Sequence, residues 1–219
     1  MAATRGPRPP EAVRFSLPPL DDATLQDLRS SRHHDQRRVA DLDLTDLELR
    51  QTTFAECALE RLVLHGADLR GMHLVECRLA ALDAASCALP RSSWRDVVLD
   101  GSRLGALESY ESTWRSLLAT DSKFVYLNAR GSSWTDVTFR NCVVDELDLS
   151  NARLTRVRFE GCRVRSLRVA DATLADVDLR GVRLEEIEGL AGLAGAWFSE
   201  SQLTELAPLL ADHLGIRVI

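Results

Sequence analysis

The groups in this 219-residue chain that could do chemistry are its histidines, cysteines, glycines and acids, and their spacing decides how much they can do. His33 and His34 stand beside Asp35 in a polar stretch that reads as solvated, while His65, His73 and His213 lie far from any candidate nucleophile. No imidazole is set at a fixed distance from a serine or cysteine, so no catalytic residue is assigned and no enzyme is expected. The five cysteines, an odd number without C-x-x-C spacing, read as reduced thiols and not as a zinc site or a disulfide framework. Gly189, Gly192 and Gly195 lack the strand-then-helix context of a phosphate loop. Neither metal nor cofactor is expected.

The acids are different, because they recur. At intervals of 20 the chain reads Glu56, Glu76, Asp96, Ser116, Asp136, Arg156, Asp176, and a second series reads Glu48, Asp68, Ala88, Glu108, Asn128, Asp148, Arg168, Glu188. If residues 20 apart stack, these are columns of like charge, which repel and are seldom built without cause. Asp and Glu at corners that only keep the edges soluble are the plainer reading. A surface for a basic partner is the sharper one.

The element that must position these columns is a five-residue repeat. Every fifth residue from Leu44 to Leu184 gives 29 positions, of which 28 are apolar, Ser109 being the exception. A second series two residues ahead, Leu42 to Ile187, holds only Leu, Ile, Val, Met, Ala, Cys, Ser and Thr. None of the 59 positions is charged, although a chain that is 27% charged would place about 16 charges there. An α-helix advances about 500° in five residues and would smear such a stripe around its surface. A flat strand fails as well, because side chains alternate with period 2 and an odd repeat would flip faces each time. The backbone must therefore bend once per repeat, with two residues pointing in and the rest at a corner.

Four repeats make a turn. Ser92–Val97 (SSWRDV), Ser112–Leu117 (STWRSL) and Ser132–Val137 (SSWTDV) resemble one another more than neighbouring repeats do. Trp94, Trp114 and Trp134 then stack on one side of a square tube, and 29 repeats give about seven coils at ~4.8 Å each. In this arrangement His65 and His73 face outward. Cys57 and Cys77, like Cys142 and Cys162, fall on adjacent coils within reach of a disulfide, but small buried thiols are the plainer reading, since the same positions elsewhere hold Val, Leu or Ser.

The chain divides into a Pro-rich start and cap (1–39), the repeat (40–188) and a helical tail (189–219). An open solenoid needs such ends to cover its terminal coils. A disordered start and a helix over Asp21–Ser30, with Asp21 or Asp22 as its N-cap, are expected before the repeat. A second helix opening at Ser199 or Ser201 follows it, with Leu203, Leu206, Leu210 and Leu214 at helical spacing, Pro208 as a kink and Gly215 as a stop. No apolar run approaches the roughly 20 residues of a membrane span and the start lacks the apolar stretch of a secretory signal, so the expected location is cytoplasmic, away from membranes. A formal charge of -6 argues against nucleic acid as a direct ligand. Acids outnumber bases 9 to 4 over residues 40–90, but 7 to 8 over residues 151–188.

Segments such as ADLRG (Ala67–Gly71), ARLTR (Ala152–Arg156) and NCVVDELDLSN (Asn141–Asn151) resemble the units of the pentapeptide-repeat family. The resemblance implies an all-β, right-handed quadrilateral parallel β-helix. Arg153, Arg158, Arg163 and Arg168 stand where the family pattern has Asp or Asn. The uninterrupted repeat is similar to that of the quinolone-resistance pentapeptide proteins, which imitate duplex DNA and bind DNA gyrase as dimers joined near their C-termini. That implies a homodimer through Leu203, Leu206, Leu210 and Leu214, and gyrase as a protein partner met by the acidic columns. The other reading is a scaffold for a different partner, favoured by the arginines near the C-terminal coils.

Overall fold

At three of the four corners the chain bends because one residue adopts the left-handed conformation. Gln51, Gly71, Arg91, Glu111, Gly131, Asn151 and Asp171 hold φ between 56° and 68° at one corner, and two further corners repeat the pattern through Glu56–Asp176 and Asp41–Gly181. Asn, Asp and Gly tolerate this region best, which accounts for corners such as Asp41, Gly71, Asp96, Asp121, Gly131, Asn141 and Asn151. At the fourth corner only Asp46 and Gly66 have positive φ.

The computed structural model describes residues 6–217. Its strands are parallel and offset by 20, as in Thr113↔Ser93 and Arg103↔Lys123. Long strands such as Ser93–Asp100, Thr113–Thr120 and Ser133–Arg140 cover two sides of each coil, and shorter ones such as Arg103–Glu108 and Lys123–Asn128 cover the other two. Among the described residues they form a 12-stranded and a 7-stranded sheet. The solenoid has about 9 turns, where the repeat alone counts about seven, because the flanks add rungs. Asp21–Asp22 pairs with Arg37–Arg38, and Ala196–Trp197 pairs with Val177–Asp178.

The bore is filled by the two apolar series. Trp94, Trp114 and Trp134 stack with ring centroids 5.1 and 4.6 Å apart, and Phe139 stacks on Phe159 at 5.0 Å. The second series does more than fill space. Ser112 Oγ accepts from the Ser92 N–H at 3.0 Å, Ser132 Oγ from the Ser112 N–H at 3.0 Å, and Ser122 Oγ from the Ser102 N–H at 3.0 Å. These hydroxyls satisfy backbone donors that the bend removes from the strand ladder. Cysteine plays the same part, since the Cys142 N–H donates to Cys162 Sγ and the Arg37 N–H to Cys57 Sγ, both at 3.4 Å. All five cysteines are buried free thiols, and burial pushes the pKa of the Cys87 thiol up to about 12.

Both ends differ from the expectation in detail. The first helix, α1 (Leu25–Ser30), is capped by Thr24, whose hydroxyl and Asp27 form a reciprocal capping box, while Asp21 and Asp22 belong to a strand. Its Leu28 is fully buried against the first coil. His34 is not solvated. It is 4% exposed and stacks on Phe54 at 4.9 Å, because the 20-residue register extends one coil before the apolar repeat begins. The start is not wholly irregular in course either, since residues 6–20 form a strap along the tube. At the other end Ser199 caps the second helix, α2 (Glu200–His213), Pro208 lies within it, and Gly215 follows with φ 69°. Before it, a Cβ on Gly192 would sit 1.7 Å from the Val169 carbonyl oxygen, so only glycine lets this turn close over the last coil.

The indole N–H groups of Trp94, Trp114 and Trp134 have no hydrogen-bond partner among the described residues. Trp114→Ala is therefore expected to cost about 3 to 5 kcal/mol, from lost area and a cavity. Trp114→Phe should cost roughly 1 kcal/mol, because it also removes a buried unsatisfied donor. Urea titrations of both variants check the pair. Burial also holds the His34 imidazole below its ordinary pKa. The unfolded chain then binds the extra proton, so this contribution is complete above about pH 6.5 and is lost as pH falls below it. His34→Phe should flatten the thermal stability profile between about pH 5 and 7, as read by calorimetry.

Candidate protein-binding surface

The first acidic series lies along one left-handed corner. Glu56, Glu76, Asp96, Asp136 and Asp176 have φ of 52°, 53°, 55°, 58° and 55°. For aspartate this backbone is tolerable. For glutamate it is not a preferred one, so turn chemistry does not explain why Glu56 and Glu76 occupy the column.

The column divides into two halves. In the C-terminal half, Arg156 forks onto Asp136 with two bonds of 2.6 Å, and Asp136 also accepts the Glu11 N–H at 2.9 Å. Asp176 accepts the Arg8 N–H at 3.1 Å and Arg8 Nε at 2.9 Å. The guanidinium of Arg156 holds the Asp136 carboxyl below its usual range, and the backbone and side chain of Arg8 do the same for Asp176. In the N-terminal half, Glu56 accepts a bond of 2.8 Å from Gln36, and no ion pair reaches Glu56, Glu76 or Asp96 among the described residues. All three side chains are half-buried at the corner.

The second series is mostly neutralised. Arg50 bonds Asp68 at 2.7 Å and reaches Glu48 at 3.5 Å, Asn128 bonds Glu108 at 2.6 Å, and Arg168 bonds Glu188 at 2.7 Å. Asp148 is 2% exposed, accepts the Ser150 N–H at 2.9 Å and faces Arg130 at 3.5 Å. The same i, i+20 pairing joins Asp41 to Arg61, Arg91 to Glu111 and Arg140 to Glu160. Stacking therefore brings acids onto arginines as readily as onto acids.

The leucines of the tail also separate. Leu206 packs against the core and Leu210 is half-buried, whereas Leu203 and Leu214 are 55% and 70% exposed, beside exposed Leu209 and Ile216. The residue that docks α2 is Gln202, which sequence reasoning did not single out. Its amide donates to the Leu179 and Val182 carbonyls at 2.8 and 2.9 Å, closing two backbone acceptors of the final coil.

Of the remaining candidates, His65 Nδ1 accepts the Ala85 N–H at 2.9 Å, while His33 and His73 are exposed on strands. No group of three or more His, Cys, Asp or Glu among the described residues is placed to hold a metal ion, and no helix there is long and apolar enough to cross a membrane.

No curated protein matches the sequence. Solved structures that align with the chain include a trypsin-treated variant of QnrB1, a plasmid-mediated fluoroquinolone resistance protein, at 17% identity, TM-score 0.35, 85% of this chain and 90% of that one. HetL, a pentapeptide repeat protein involved in heterocyst differentiation regulation from the cyanobacterium Nostoc sp. strain PCC 7120, aligns at 14% identity, TM-score 0.45, 77% of this chain and 90% of that one. The family models for the pentapeptide repeat region and for pentapeptide repeats match residues 119–206 and 43–80, more than half of the chain together. With the 20-residue register and the four-sided coil, these family matches place the chain in the pentapeptide-repeat family.

Proposed function

We propose that the protein is a non-catalytic, cytoplasmic binding rod that meets a basic protein surface with the acidic corner of its N-terminal coils. The observation that supports this reading is the column Glu56, Glu76 and Asp96, where three carboxylates share one corner without an ion pair among the described residues. Several other stacked acids of the rod, such as Asp41, Asp68, Glu111, Asp136 and Glu160, have arginine partners. An unpaired column keeps its field for a partner and speeds encounter with a positive surface. Asp136, Asp176 and the second series, Glu48, Asp68, Glu108 and Asp148, contribute charge but are already engaged within the chain.

DNA gyrase is the first partner to test, on the sequence resemblance to the gyrase-interacting members of the family. In that reading the rod takes the place of duplex DNA on a basic saddle. A second reading, a scaffold for another basic protein, is favoured by the paired arginines of the C-terminal coils, which offset much of the negative charge in that half of the molecule.

We also propose that α2 joins two copies by two-fold symmetry. Leu203 and Leu214 lie on one stripe of the helix, and with Leu209 and Ile216 they leave an apolar surface at the end of the rod. Two rods meeting there would double the length available to an elongated partner.

Reversing Glu56, Glu76 and Asp96 to Lys should weaken gyrase inhibition about tenfold or more at low salt and leave circular dichroism unchanged. Equal activity of the variant and the wild type across a salt series would remove the acidic corner from the interface. No gyrase effect from either protein would favour the scaffold. For the dimer, Leu203→Glu with Leu214→Glu should convert a dimer to a monomer in sedimentation velocity at micromolar concentration. A wild-type monomer under those conditions would leave α2 with capping alone.

A further inference from the structure

The N-terminal strap follows a different geometric rule from the rest of the chain. Residues 6–20 carry prolines at Pro7, Pro9, Pro10, Pro18 and Pro19, and form neither helix nor strand. They run along the tube axis, across the strands, from Asp176 back to the first coil. Pro7 is buried, and Pro9, Pro10 and Val13 border a depression with Leu118, Thr138 and Arg158.

The spacing of the contacts is specific. Arg8 meets Asp176 and Glu11 meets Asp136, three residues against two coils. Three residues of polyproline II rise ~9.3 Å and make one full turn, while two coils at ~4.8 Å rise ~9.6 Å. A polyproline segment laid on this corner therefore presents the same face to every second coil. Two of the contacts are backbone N–H groups donating to a carboxylate, which any residue except proline supplies, and the third is the Arg8 guanidinium.

We propose that the corner from Asp136 to Asp176 is a binding groove for an extended, proline-rich segment carrying an arginine, and that the strap is its resident ligand. A partner bearing such a segment would bind by displacing the strap. The hold is weak enough to allow this, because the Arg8 side chain is 76% exposed in its ion pair and such pairs are screened by salt. The groove is separate from the column Glu56, Glu76 and Asp96, so the two assignments fail independently.

The test uses the full chain and a labelled peptide of residues 6–20 added in trans. Arg8→Glu places like charge against Asp176 and should release the strap, seen as faster trypsin cleavage after Arg14. It should also raise the affinity for the peptide about tenfold or more over wild type, because the tethered competitor is gone. Adding Asp176→Asn to Arg8→Glu should lower that affinity again, as should a peptide with Pro9 and Pro10 changed to Gly. The proposal is overturned if Arg8→Glu leaves both trypsin cleavage and peptide affinity at wild-type values. It is equally overturned if the strap is released but peptide binding does not rise, or rises regardless of Asp176, with circular dichroism confirming that each variant is folded.

Discussion

The structure depends on one constraint: within the repeat, each residue lies ~4.8 Å from the residue 20 places along, on a parallel neighbouring coil. This register turns a property of sequence into a property of columns. An apolar side chain at the centre of a repeat is shielded only if its counterparts above and below are also apolar, and the three stacked indoles are that rule carried to the largest side chain. Their unpaired N–H groups show that packing outweighs the loss of a hydrogen bond there. The same register sets the surface, where Asp136 under Arg156 and Asp41 under Arg61 become ion pairs.

Bending the chain every five residues takes backbone donors out of the ladder, and the solution explains residues that a hydrophobicity pattern alone leaves ambiguous. Ser92, Ser112, Ser132, Cys142 and Cys162 are inward-facing because a hydroxyl or thiol can take part in hydrogen bonding at the corner, where leucine cannot. Hydrogen bonding to the corner is enough to account for the paired cysteines, with no cross-link. Where the position is apolar, as at Ala67, Met72 and Ala152, the N–H turns instead to the carbonyl three residues back.

Much of this is legible in the sequence, because a strict period leaves little freedom. The apolar series, the coil of four repeats and the Trp column all follow from spacing, and spacing narrows the cap of the second helix to Ser199 or Ser201. His34 escapes a local reading because its neighbours Arg32, His33 and Asp35 are polar, although counting back 20 from Phe54 reaches it. The neutralisation of the acidic columns is half visible, since Arg156 stands between Asp136 and Asp176 in the same series, an interruption in the pattern that the register makes a partner. The strap is not legible at all. Its contacts join residues 125 and 168 positions apart and obey the rise of an extended chain against a stack, which no local pattern encodes.

That strap also acts as a ruler. From Arg8 to Asp21 is 13 residues, at most about 47 Å when fully extended, and the rungs from Asp176 to the strand at Asp21 span roughly 38 Å. A duplicated coil would leave the repeat's packing intact, since a solenoid adds units without altering its cross-section. It would also carry Asp176 one rung farther from Asp21 and draw the strap taut, and a second duplication would pull Arg8 off its aspartate. A segment outside the repeat thus records how many coils the repeat contains, and it couples the number of coils in this rod to whether its corner is covered.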